Sequence, residues 1–111
     1  MTVQTLDFSE VNSLQKARAL YSAGKLEIVY LFPLEFGGQE IPQNTLYVPL
    51  GIAAIKQRID GMIGDLVKQG KVTSYAATPE YKGNSFIPSK IKIVTSDPGK
   101  PGGLNPVIDI W

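Results

Sequence analysis

Neither cysteine nor histidine occurs among the 111 residues of this chain. The lack of cysteine excludes disulfides and thiolate metal sites, so the fold must depend on packing alone. The lack of histidine removes the side chain that most often serves as a general base, a zinc ligand or a charge switch near neutral pH. We therefore expect no catalytic residue, no cofactor and no metal, and we favour a non-enzymatic function.

The chain also lacks a large excess of either charge, and it lacks long apolar runs. The chain has 11 basic and 10 acidic residues, a net charge of +1, so no overall field attracts nucleic acid or anionic lipid. No apolar segment approaches the roughly 18 residues of a membrane span, and residues 1–8 lack the pattern of a secretion signal. We expect a cytoplasmic protein with no membrane partner, and nucleic acid is not favoured as a ligand.

Residues 51–69 form the longest helical pattern in the chain. A glycine inside a helix costs roughly 1 kcal/mol relative to alanine, so small residues on one side predict a close approach by another segment or by a partner. We expect that back of the helix to carry Ala54, Gln57, Gly61 and Gly64. Apolar residues at steps of three and four are predicted to face the core: Ile52, Ile55, Ile59, Met62, Ile63 and Leu66.

A shorter helix is predicted over about 9–23. Asp7 or Ser9 would cap its beginning and Gly24 would end it. Its narrow apolar stripe predicts that it covers one face of a sheet and lies beside the back of the second helix.

The remaining apolar segments predict strands. Residues 26–32 are almost continuously apolar, which indicates a central strand buried on both faces. Residues 71–78, 90–96 and 107–111 predict further strands, with Lys90 and Lys92 pointing outward from an edge. The sequence thus predicts one α+β domain over 1–111, with a mostly antiparallel sheet of four to five strands and helices at about 9–23 and 51–69.

Three segments outside the helices are candidates for flexibility or binding. Residues 97–106 are rich in proline and glycine and predict a flexible loop. Trp111 ends an apolar segment, so we expect it to dock against the sheet or a partner. The loop over 33–44, which follows a strand, is the candidate binding site. Its candidate residues, with two neighbouring tyrosines, are Glu35, Glu40, Asn44, Tyr47 and Tyr81.

Part of the chain resembles a known family. The segments are residues 31–38 (LFPLEFGG), Asn44, residues 46–49 (LYVP), the helix that follows and residues 75–88 (YAATPEYKGNSFIP). Together they resemble the core of the DNA/RNA non-specific endonucleases, which implies a ββα-metal fold. The family's histidine base falls on Tyr30, and residues 51–55 offer no asparagine to hold a metal. The resemblance therefore implies a catalytically silent relative from a toxin, immunity or mobile-element context.

We conclude that a small protein-interaction domain is the leading hypothesis, with a protein partner or a homo-oligomer as its complex. One alternative is a nuclease or phosphodiesterase that depends on a divalent cation and uses Glu35, Glu40 or Asn44 in an unfamiliar arrangement. Another alternative is a small-molecule binding domain with residues 35–47 as the rim of the pocket.

Overall fold

The computed structural model describes residues 7–96 and 105–111. It confirms the predicted α+β class, with two helices and five strands arranged in two antiparallel sheets, β1-β2 and β3-β4-β5. Within these two ranges no helix is long and apolar enough to cross a membrane. The elements are α1 (Leu14–Ser22), β1 (Leu26–Tyr30), β2 (Thr45–Pro49), α2 (Ile52–Lys68), β3 (Ser74–Tyr81), β4 (Pro88–Ser96) and β5 (Val107–Asp109), with two short 3₁₀ turns, Leu34–Phe36 and Pro42–Asn44.

β1 and β2 form a two-stranded ribbon that lies between the two helices. Leu26 of β1 belongs to a buried cluster with Ala17 of α1, whereas Val29 belongs to the larger core with Ile52 and Ile63 of α2. Successive residues of a strand point to opposite faces, so α1 covers one face of the ribbon and α2 covers the other. The prediction of a central strand over 26–32 is therefore wrong. Among residues 7–96 and 105–111, β1 pairs only with β2, and helices cover both of its faces.

α1 begins five residues later than predicted. Ser13 is its N-cap, and the Ser13 hydroxyl accepts a hydrogen bond from the Lys16 N–H at 3.2 Å. The Asp7 carboxylate instead accepts from the Ser9 N–H at 2.9 Å, which forms a local turn ahead of the helix. Because α1 and α2 lie on opposite faces of the ribbon, α1 does not lie against the back of α2.

α2 is rotated relative to the prediction. Ile52 and Ile63 are buried as expected, but Ile55 is 41% exposed and Met62 is 51% exposed. Their places on the buried face are taken by Lys56 and Asp60, which are 3% and 5% exposed. A charged pair can occupy a helix face that packs on a core only when its hydrogen bonds are satisfied within the protein.

The first turn of α2 is capped from a different element. Gly51 is the N-cap and has no side chain to accept from the free backbone N–H groups. The Glu27 carboxylate of β1 does so instead: its Oε2 accepts from the Gly51 N–H at 3.0 Å and from the Ala53 N–H at 2.8 Å. A negative charge at this end also favours the helix dipole.

We expect Glu27→Ala to lower the free energy of unfolding by about 1–2 kcal/mol, since two helix N–H groups lose their charged acceptor. Urea denaturation followed by circular dichroism would measure the change. Glu40→Ala is the matched control, because Glu40 is exposed and caps no helix. Equal stabilities of the two variants would contradict the capping role.

In the three-stranded sheet, β4 lies between β3 and β5. Its Ile91 and Ile93 are buried and its lysines point outward, as the alternation predicts. The expected edge position is wrong, because β4 is hydrogen-bonded to a strand on each side. Lys90 pairs with Asp109 of β5, and Lys92 pairs with Glu80 of β3. β3 begins three residues after the strand predicted over 71–78 and extends three residues beyond it, to Tyr81. Most of the predicted flexible loop over 97–106 lies outside the described residues.

Candidate functional site

Asn44 organises the predicted binding loop from within. Its side-chain oxygen accepts from the Phe32 N–H at 2.7 Å, and its side-chain nitrogen donates to the carbonyls of Phe32 and Gln39, both at 2.9 Å. Gly38 adds a second constraint, since a Cβ atom there would lie 2.0 Å from the Phe32 carbonyl oxygen. Asn44 is therefore occupied in holding the loop closed around Phe32.

The other candidate residues of the loop are divided between two clefts. Glu40, Tyr47 and Tyr81 line a groove of about 400 Å³ beside α1. Glu35 lines a cleft of about 210 Å³ beside α2. Three of the five predicted binding residues thus line one groove, whereas Glu35 and Asn44 are not among the residues that line it.

A buried polar triad lies beneath the Glu35 cleft. The Lys56 ammonium donates to Asp60 Oδ2 at 2.7 Å and to the Tyr75 hydroxyl at 3.1 Å, and that hydroxyl donates to Asp60 Oδ1 at 2.7 Å. The three groups satisfy one another in a closed triangle. Sequence reasoning missed this cluster, although the spacing of four between the lysine and the aspartate places them on one helix face.

The Tyr75 hydroxyl is held in its neutral form. Burial above all, then the hydrogen bond to Asp60 and the negative charges of Asp60 and Glu35, raise the pKa of Tyr75 well above its ordinary value. A neutral phenol can donate to the Asp60 carboxylate, whereas a phenolate could not. The three side chains therefore form a closed hydrogen-bonded unit in which Tyr75 donates to the Asp60 carboxylate.

Three aromatic rings meet beside the triad. Phe32, Phe36 and Tyr75 contact one another edge to face, with ring centroids 5.5 to 6.4 Å apart. These rings and the Glu35 side chain line a cavity of about 320 Å³. We call the site formed by Phe32, Glu35, Phe36 and Tyr75 the aromatic pocket.

Most of the residues predicted for the back of α2 lie on the side of the helix that faces solvent. Ala54, Gln57 and Gly61 are exposed, while Gly64 packs inside the chain, where a Cβ atom would meet the Phe36 ring at 3.5 Å. A Cβ atom at Gly61 would have nothing within 4 Å. We call the surface that continues around this side the exposed face of α2; it comprises Ala54, Ile55, Arg58, Gly61, Met62 and Asp65.

The Trp111 side chain packs against other residues of the same chain. Its indole N–H donates to the Ile87 carbonyl at 3.0 Å, and its ring meets Phe8 edge to face at 5.7 Å. The Lys82 ammonium lies 4.8 Å from the centroid of the indole ring. These contacts attach the C-terminal residue to the segments that precede α1 and β4.

The described residues contain no group of three or more acidic residues placed to hold a metal ion. Glu35 and Glu40 line different clefts, and the Asn44 amide is fully used within its loop. No protein-family model, no curated protein sequence and no solved structure matches the chain. The function is therefore inferred from the geometry and chemistry of these residues.

Proposed function

We propose that this chain is a small, non-enzymatic interaction domain of the cytoplasm and that its partner is a second copy of itself, bound through the exposed face of α2. The proposal rests on the residue composition of that face. Ile55 and Met62 leave apolar area in water, being 41% and 51% exposed, and Gly61 beside them has open space around it. Nothing else in the described chain requires a glycine there, although it costs roughly 1 kcal/mol in a helix.

The charges on this face complement themselves. Arg58 and Asp65 are both exposed and lie seven residues apart, which places them on one side of the helix about 10 Å apart along its axis. When two copies of α2 pack antiparallel about a twofold axis between Gly61 and Met62, each Arg58 lies opposite the partner's Asp65. A parallel, in-register pair would instead bring like charges together.

The same arrangement gives the apolar side chains a contact. In this register Met62 lies against the partner's Gly61, and Ile55, about 10 Å from the axis, lies against the aliphatic part of the partner's Lys68. Gly61 allows the two backbones to approach closely beside the charged pairs. The glycine, the apolar side chains and the charges thus fit one interface.

The size of the face predicts a weak dimer. A helix of 17 residues is about 25 Å long, and contact along one such helix buries less than about 1,200 Å² in total. Interfaces of this class form transient complexes. We therefore expect association that depends on protein concentration.

We expect Met62→Glu to weaken the dimer at least about tenfold, since the variant buries an unpaired carboxylate at the interface. Met62 is half exposed in the single chain, so the fold tolerates the change. Sedimentation velocity over a wide range of concentration would measure the effect. Val94→Glu is the matched control, because Val94 is 53% exposed on β4, away from α2. A wild-type protein that stays monomeric at the highest soluble concentration would overturn the proposal, as would a Met62→Glu variant that dimerises normally.

The resemblance to the non-specific endonucleases is compatible with this function. β1, β2 and α2 follow one another in the strand–strand–helix order that the resemblance implies. Tyr30 stands at the position of the histidine base, and the first turn of α2 has no asparagine. Descent from that core, in a toxin, immunity or mobile-element setting, would leave a scaffold whose remaining function is binding. The separation of Glu35 from Glu40 also favours binding over cation-dependent cleavage.

A further inference from the structure

We infer that the aromatic pocket binds an organic cation of the trimethylammonium class. This inference is independent of the proposed self-association, since none of the four pocket residues belongs to the exposed face of α2. It rests on the shape of the cavity, its charge and the rigidity of its walls.

The three rings line the cavity with their planes at steep angles to one another. The planes of Phe32 and Phe36 meet at 75°, those of Phe32 and Tyr75 at 87°, and those of Phe36 and Tyr75 at 71°. At the observed separations, a cation that faced all three rings would lie about 4 Å from each centroid, within the roughly 6 Å limit of a cation–π contact. A tetrahedral ammonium group can present methyl groups to several such walls at once.

The charge of the site favours a cation. Glu35 is exposed at the cavity and is the charged residue among those that line it in the described chain. The Lys56 ammonium lies 5.6 Å from the centroid of the Tyr75 ring, outside the residues that line the cavity, and pairs with Asp60 at 2.7 Å. Glu35 therefore leaves the pocket with a net negative charge, which an organic cation would balance.

The walls are held before any ligand binds. The Tyr75 hydroxyl is fixed by Asp60 and Lys56, and the backbone of Phe32 is fixed by the Asn44 side chain. The Phe36 ring packs beside Gly64, where an added Cβ atom would lie in van der Waals contact with it at 3.5 Å. A preformed site avoids the entropic cost of ordering its side chains on binding.

A small, weakly hydrated cation fits these features better than other ligands do. Aromatic faces attract quaternary ammonium groups, and a carboxylate beside them adds charge complementarity. A bare metal ion would need several oxygen ligands, whereas the pocket offers one carboxylate. The trimethylammonium group can come from a choline-like small molecule or from a trimethylated lysine side chain.

The test is an NMR titration of the ¹⁵N-labelled full chain with tetramethylammonium chloride at constant ionic strength. We expect saturable shifts of the Phe32, Phe36 and Tyr75 signals, with a dissociation constant in the millimolar range, about what one small cation can reach. The neutral isostere 3,3-dimethylbutan-1-ol, titrated beside choline, tests the role of charge. We expect it to bind at least about tenfold more weakly than choline.

Two variants locate the site. Phe32→Ala removes a ring that is 39% exposed and should weaken tetramethylammonium binding about tenfold, and Glu35→Gln should weaken it several-fold. The matched controls are Phe86→Ala and Glu40→Gln, which change an aromatic residue and a glutamate that line the groove beside α1. We expect both controls to bind as the wild type does.

Choline and a peptide that contains trimethyllysine distinguish the two sources of the group. Tighter binding of either one supports the inference and identifies the source, and equal binding assigns recognition to the ammonium group alone. No saturable shift with tetramethylammonium, or equal affinity for the neutral alcohol, would overturn the inference. Unchanged affinity in both Phe32→Ala and Glu35→Gln would do so as well.

Discussion

Replacing Asp60 by alanine should lower the free energy of unfolding by about 3–5 kcal/mol. The substitution leaves the Lys56 ammonium, which is 3% exposed, without its anionic partner. It also removes the acceptor of the Tyr75 hydroxyl. Chemical denaturation at pH 7 would measure the loss.

Replacing all three residues of the triad should lower the free energy of unfolding far less than replacing Asp60 alone. Lys56→Met/Asp60→Leu/Tyr75→Phe removes every polar group of the triad, so we expect a free energy of unfolding within about 1 kcal/mol of the wild type or above it. The surface control is Glu80→Ala, which breaks the half-exposed pair with Lys92 and should cost less than about 1 kcal/mol. Equal, small losses of unfolding free energy in Asp60→Ala and Glu80→Ala would contradict the burial of the triad.

The second large effect is expected at Gly38. In Gly38→Ala the new Cβ atom would lie 2.0 Å from the Phe32 carbonyl oxygen, and a backbone atom cannot move aside as a flexible side chain can. We expect a loss of about 3 kcal/mol or more, because the loop must open or its backbone must deform. Thermal and urea denaturation would measure it.

Gly61→Ala is the matched comparison and should change stability in the opposite direction. Its Cβ atom would meet nothing within 4 Å, so the helix gains about 0.5–1 kcal/mol from the better propensity of alanine. The measurement belongs at low protein concentration, where the single chain is observed. Similar losses in Gly38→Ala and Gly61→Ala would show that the close approach at Gly38 has no energetic role.

Local pattern was sufficient to predict two elements of this fold, β4 and α2. The alternation of lysine and isoleucine in β4 predicted its two faces correctly, and the steps of three and four predicted α2 to within a residue or so at each end. Such patterns depend on neighbours in sequence, which are visible in one chain. The α+β class follows from the order of the elements.

Long-range pairing explains what the sequence could not predict. Sequence spacing alone does not show that Lys56 and Asp60 are buried. The Tyr75 hydroxyl, from β3, completes their hydrogen bonds, so the buried face of α2 differs from the predicted one by part of a turn. Glu27 caps a helix that begins 25 residues later in the chain. The division of five strands into two sheets depends on the same kind of contact.

The candidate site was predicted in part. The loop over 33–44 was predicted as the candidate binding site, and Glu35 lies on it as an exposed carboxylate. The rings that meet there come from β3 as well as from the loop, so the aromatic pocket could not be assembled from sequence spacing. Tyr75 carried no local signal that distinguished it from a core residue.

Antiparallel self-association through α2 predicts a specific response to exchanged charges. In Arg58→Asp each face carries two acidic side chains, and in Asp65→Arg each face carries two basic ones, so both variants repel their own copies. A mixture of the two restores opposite charges at both ends of the interface. The carboxylate and guanidinium groups are exposed in the single chain, so folding is unaffected.

The most direct measurement is sedimentation equilibrium of each variant alone and of their equimolar mixture. We predict that each variant alone sediments as a monomer at concentrations where the wild type dimerises, and that the mixture regains the wild-type dimer fraction. A mixture that stays monomeric, or single variants that dimerise as well as the wild type, would contradict the proposed interface.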